Sequence, residues 1–168
     1  MTSPATIIYV PGDATAPACT GPVIIAHVCN DIGAWGAGFA GALSRRWKLS
    51  ETEYRRWFRE PRDEEPRLAL GEVQFVQVAG NTCVANMIAQ HGISRSRTPG
   101  REPPIRYEAA DQALGKVGSH AINTHASVHM PRIGCGLAGG KWELIEPLVL
   151  ARLTGRGVAV TVYDLPQP

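Results

Sequence analysis

Apolar and polar positions along this chain follow two periods, and the switches between them lay out its elements. Val23 to Val28, VIIAHV, is almost continuously apolar, as a strand covered on both faces must be, so it belongs in the middle of a sheet. Ile7 to Val10 is a shorter β-branched and aromatic run that stops at Pro11-Gly12, which predicts a first strand ending in a turn. Glu72 to Val78, EVQFVQV, alternates like a half-buried strand, and Cys83 to Ile88 follows a Gly80-Asn81 turn, so the two predict a hairpin. Helical spacing governs other stretches. A helix opens from the small-residue loop 32–40 and runs to about Trp47. Ser50 predicts the next start as N-cap, with Glu53 at the capping-box position, Tyr54, Trp57 and Phe58 as a core stripe, and Pro61 as the stop. Arg106 to His125 carries Tyr107, Ala110, Leu114, Val117 and Ala121 at helical spacing and precedes a strand over Ser127 to Met130. Leu144 to Leu153 predicts the last helix, ended by Gly155 and Gly157, and Val158 to Tyr163 the last strand. About six strands and four or five helices, with helical crossovers between strands 2 and 3, 4 and 5, and 5 and 6, predict a three-layer α/β/α fold on a mixed sheet.

Composition adds bounds. With 168 residues, 44% of them apolar and 19% charged, the chain is expected to form one domain over residues 1–168. A net charge of +2 offers no field for sequence-independent capture of nucleic acid or a membrane surface, so no direct nucleic-acid or membrane binding is expected. Cys19, Cys29, Cys83 and Cys135 are widely spaced and form no CxxC pair, which predicts reduced thiols and a cytoplasmic setting. No basic segment precedes an apolar core at the N-terminus, and a soluble monomer is expected. Residues 60–67, EPRDEEPR, read as a solvated loop. Arg95, Arg97 and Arg101 lie in a stretch rich in Pro, Gly and Ser that reads as surface, with clasping of an anionic ligand as its functional alternative.

The candidate chemistry centres on Met130 to Trp142, MPRIGCGLAGGKW, where Gly134, Gly136, Gly139 and Gly140 fall within seven residues between a strand and a helix. Such a segment turns backbone N–H groups inward as an anion-binding nest at a helix N-terminus. It is not a Walker loop, because Trp142 stands where the hydroxyl should follow Lys141. Cys29-Asn30-Asp31 ends the central strand and leads into Ile32 to Ala40, a second small-residue loop. Its GAWGAG spacing is not the dinucleotide fingerprint GxGxxG. Loops at the carboxyl ends of strands converge in an open sheet, so 30–38 and 134–140 are expected to line one pocket. Asp13, after the first strand, either caps its own turn or accepts from an exocyclic amine, and the sequence leaves both open. His125 and His129 fall across a helix end and a strand and share no face, so no metal and no cofactor are expected.

Taken together, GDAT at 12–15, AHVCN at 26–30, GAGFAGAL at 36–43, PRIGCGLAGG at 131–140 and TVYDL at 161–165 resemble a macrodomain over nearly the whole chain. PRIGCGL with a Trp soon after it and a closing VTVY strand is similar to the ALC1-like branch, which includes the terminal ADP-ribose protein glycohydrolase. The resemblance implies ADP-ribose as ligand and mono-ADP-ribosylated proteins as partners. It implies that Asp13 and the Ala14 amide hold the adenine, that Asn30 and Trp35 hold and wall the distal ribose, and that amides of Gly36, Ala37 and Gly38 face those of Gly134, Cys135, Gly136, Leu137 and Ala138 across the diphosphate, with Ile133 and Gln90 completing the site. The branch's Lys nucleophile and loop Asp are replaced here by Gln90 and Ala138, which can do neither job. The activity expected is water-mediated hydrolysis of mono-ADP-ribose esters on acidic side chains, with Asn30, Asp31 and Trp35 as catalytic candidates. A non-catalytic reader and an ADP-ribose 1''-phosphate phosphatase are the alternatives.

Overall fold

The computed structural model describes residues 6–60, 68–93 and 102–165. In chain order the elements are β1 (Ile8–Pro11), β2 (Val23–Asn30), α1 (Phe39–Arg46), α2 (Lys48–Arg59), β3 (Val73–Ala79), β4 (Thr82–Gln90), α3 (Tyr107–Thr124), β5 (Ser127–Met130), α4 (Trp142–Arg152), a 3-10 turn over Thr154–Arg156 and β6 (Val160–Asp164). They build one six-stranded sheet in the order β1-β6-β5-β2-β4-β3. All neighbours are parallel except β3, which returns antiparallel along β4 as the predicted hairpin. Residues 61–67 of the expected surface loop, and Arg95, Arg97 and Arg101, lie outside the described residues.

The two central strands carry the apolar runs that need cover on both faces. Ile24 and Ala26 of β2 join Ala85 and Met87 of β4, Val128, and Val160 and Val162 of β6 under α3 and α4. Val23, Ile25 and Val84 point the other way against Leu43, Trp35, Phe39 and Trp47. The result is the three-layer α/β/α arrangement on a mixed sheet that the periods predict. α3 presents mostly alanine to the core and lies very close to α4. A Cβ on Gly118 would sit 2.4 Å from the Arg152 carbonyl oxygen.

One helix start differs from expectation. α2 begins at Lys48, its N-cap position is Trp47, and no side chain caps it. Ser50 is fully buried inside the first turn, where its hydroxyl donates to the Trp47 carbonyl at 3.1 Å. Trp47 packs with Val23, Ile25, Leu43 and Val84. Packing of that half-buried ring, rather than a polar cap, fixes where α1 ends and α2 begins, which is tertiary packing overriding a local signal. The capping-box role assigned to Glu53 falls with it. Glu51 is the first-turn acid, held between Lys48 and Arg55 at 2.7 and 2.9 Å.

Candidate functional site

From β2 the chain leaves through α1 and α2 towards β3 at one edge, whereas from β5 it leaves through α4 to β6 on the other side. β2 and β5 are neighbours, so the loops after them diverge and a crevice opens at the carboxyl ends of the strands. A cavity of about 580 Å³ fills that crevice, with His27 to Asn30, Ala34 to Ala40, Gln90, Ile93, Pro131 to Gly134 and Gly136 to Ala138 around it. Both predicted glycine loops therefore line one pocket.

The loops bring donors without charge. In the 131–141 loop the amides of Cys135, Gly139 and Gly140 are used internally, donating to Arg132, Gly136 and Gly134 carbonyls at 3.3, 3.0 and 2.7 Å. Among the described residues nothing accepts from the amides of Gly134, Gly136, Leu137 or Ala138, nor from those of Gly36, Ala37 and Gly38 at the start of α1. Gly134 has φ +72°, and a Cβ there would lie 2.8 Å from Ile105 Cδ1, so the fold itself requires glycine. Gly136 is different. Its Cβ would meet no protein atom within 4 Å, so its missing side chain keeps cavity space open. Arg132 is the one lining residue with a permanent charge, and its guanidinium already makes a fork to Asp164 at 2.6 and 3.0 Å while lying over the Tyr9 and Trp142 rings.

The individual candidates separate. Asn30 lines the cavity, but its carbonyl oxygen accepts from the Ile32 and Ala34 amides, both at 3.1 Å, and from the Tyr54 hydroxyl at 2.9 Å, while its amide donates to the Ala34 carbonyl. It is the staple that shapes the loop, with one amide proton left for a ligand. Trp35 lines the cavity as a wall, donates its indole N–H to the Ala40 carbonyl and packs edge-on to His27. Gln90 lines it too, with its amide turned to the Gly92 carbonyl at 2.9 Å. Asp31 does not line it. Its carboxylate accepts from the Gly92 amide and the His91 Nδ1, each at 2.8 Å, so it is not a free base. Cys135 is partly buried against the α3–α4 core, its thiol donating to the Ile133 carbonyl at 3.4 Å and its amide to the Arg132 carbonyl at 3.3 Å. Asp13 and Ala14 lie beyond the lining, at the end of β1. One Asp13 oxygen accepts from the Thr15 amide and hydroxyl, both at 2.8 Å, so the turn-capping role is present, and its second oxygen makes no bond among the described residues.

Sequence reasoning assigned no role to His27, His91 or Asp164. His27, 2% exposed, is held neutral by burial, which lowers its pKa to about 4, and bonds Asn86 through Nε2. Burial also pushes the Cys29 thiol up and the Cys83 thiol to about 11, so neither is a nucleophile at neutral pH. His91 and the pairing role of Asp164 were missed because their partners, Asp31 and Arg132, are distant in sequence; the TVYDL run contains Asp164 without marking its partner. Among the described residues no three His, Cys, Asp or Glu side chains converge, and no helix is long and apolar enough to cross a membrane.

A mixed, mostly parallel α/β domain with a crevice at a topological switch point, lined by two glycine-rich loops whose amides are unpaired, has the build of an anion-binding class. The comparisons sharpen this. A macrodomain protein from Streptomyces coelicolor is 52% identical over 96% of this chain and 100% of its own, with a TM-score of 0.82. The chain belongs to the macrodomain family. The chromodomain-helicase-DNA-binding protein 1-like of Danio rerio is 33% identical over 94% of the chain, which spans 15% of that relative's length. An ADP-ribose 1''-phosphate phosphatase of Lodderomyces elongisporus is 26% identical over 95% of the chain and 99% of its own length. No family model matches the sequence.

Proposed function

We propose that the domain binds ADP-ribose in this crevice and releases it by hydrolysis from acidic side chains of mono-ADP-ribosylated proteins. The observation that carries the binding is that seven residues lining one cavity from two loops have amides with no partner among the described residues. A diphosphate seated between residues 36–38 and 134–138 meets donors on both sides and no carboxylate in the lining. The Asn30, Trp35 and Gln90 end then receives the distal ribose. Hydrolysis is supported by the labile bond. An ester at an anomeric carbon leaves as a carboxylate, so orientation and preorganised donors suffice without the Lys and Asp that Gln90 and Ala138 replace. The phosphatase relative, matched along its own length, is named for chemistry at the same 1'' position.

Calorimetry without metal is expected to show ADP-ribose binding more tightly than ATP. Gly136→Glu is expected to abolish that binding in a folded protein, because its side chain enters open cavity and brings a negative charge. ATP binding as tightly as ADP-ribose would overturn the assignment. Incubation with glutamate-linked and serine-linked mono-ADP-ribosylated proteins, and with ADP-ribose 1''-phosphate, then reads the activity. Release from the glutamate-linked protein is expected; binding without release from any of them would leave a reader, and release of phosphate alone a phosphatase.

A further inference from the structure

The Asp31 carboxylate, engaged as it is, engages a histidine. His91 Nδ1 lies 2.8 Å from Asp31 Oδ2, and the other carboxylate oxygen is fixed by the Gly92 amide at 2.8 Å. Neither side chain lines the cavity itself, but both residues adjoin ones that do: Asn30 precedes Asp31, Gln90 precedes His91, and Ile93 lies two residues beyond it. The Asp31 amide donates to the Gln90 carbonyl at 3.0 Å, which locks the ends of β2 and β4 together beside the mouth. The Asp31 side chain is 14% exposed and that of His91 63%, so the orienting group is covered and the imidazole is open to water. His91 Nε2 makes no hydrogen bond among the described residues. A carboxylate only accepts, so Nδ1 is the donor, and in the neutral imidazole this leaves the Nε2 lone pair free.

From this geometry we infer that Asp31 and His91 form a water-activating dyad at the distal-ribose end of the crevice, with His91 as the catalytic base and Asp31 as its positioning residue. The inference rests on the hydrolase reading above. In the step, His91 Nε2 takes a proton from water as the water oxygen bonds to C1'' of the ribose. The bond from C1'' to the ester oxygen breaks, and its electron pair leaves with the protein's carboxylate. The imidazolium, held beside Asp31, returns the proton to solvent. The carboxylate leaving group needs no proton, which is why one base can serve where glycosidases use an acid and a base.

The test measures ADP-ribose release from a glutamate-linked protein, with ADP-ribose affinity and thermal stability measured in parallel. His91→Ala is expected to lower kcat by about 10²–10⁴-fold with affinity unchanged, and added imidazole to restore part of the rate, since the site is open. Asp31→Asn keeps an acceptor for the Gly92 amide, but its NH₂ donates to Nδ1 and forces the proton onto Nε2. It is expected to lower kcat and leave affinity unchanged. Wild-type rate in folded His91→Ala, or a loss that imidazole does not recover, would overturn the dyad alone. A wild type that binds ADP-ribose and releases none would overturn the hydrolase reading and the dyad with it.

Discussion

At the scale of single residues, burial of His27 has a consequence that pH reveals. In the folded protein its pKa is lowered from 6.5 to about 4, chiefly by desolvation, whereas in the unfolded chain it titrates normally. Between those values the unfolded state binds the additional proton, so this group's contribution to stability is intact above pH 6.5 and is lost as pH falls towards 4. The loss is on the order of 3 kcal/mol, at about 1.4 kcal/mol per pH unit for one proton. Urea unfolding at pH 7 and pH 4.5 is expected to show this decline, with a shallower one in His27→Gln; equal slopes would place the protonation elsewhere. The sequence marked position 27 within an apolar strand and the AHVCN run but not its bond to Asn86, because a period reports a face and not a partner. Asn30 and Asp31 were legible as a polar strand end for the same reason, but that their side chains serve Ala34 and His91 depends on the fold.

At the scale of elements, the boundaries set by strong periodicity came out within a residue or two, including α3, whose stripe of Ala110, Leu114, Val117 and Ala121 is buried. The start of α2 did not, because packing of the half-buried Trp47 decides it. α3 ends on a strained residue. His125 has φ 55°, and its amide closes the helix onto the Ala121 and Ile122 carbonyls. A side chain in this left-handed region costs energy that glycine does not incur. His125→Gly is expected to raise unfolding stability by about 0.5–1 kcal/mol, net of the entropy glycine adds to the unfolded chain. Chemical denaturation measures it, and a fall in stability would show that the imidazole contributes more than the strain costs.

For the molecule as a whole, the crevice was foreseeable, since two strand–loop–helix units in an α/β chain have few other ways to arrange their loops. Which amides remain unpaired was not, because that depends on how each loop turns. The sheet's outermost parallel pair also dictates an order of events. Ile8 pairs with Thr161 and Pro11 with Asp164, so the first strand of the chain waits for the last. Closing so long a loop is entropically expensive before other contacts shorten it, and β1 joins only at an edge. Val10→Ala is therefore expected to speed unfolding in stopped-flow experiments and leave the refolding rate almost unchanged; slowed refolding would put this pairing in the folding nucleus. A chain leaving the ribosome holds its opening strand without its native neighbour until translation reaches β6, and during that interval the segment is open to chaperones and proteases.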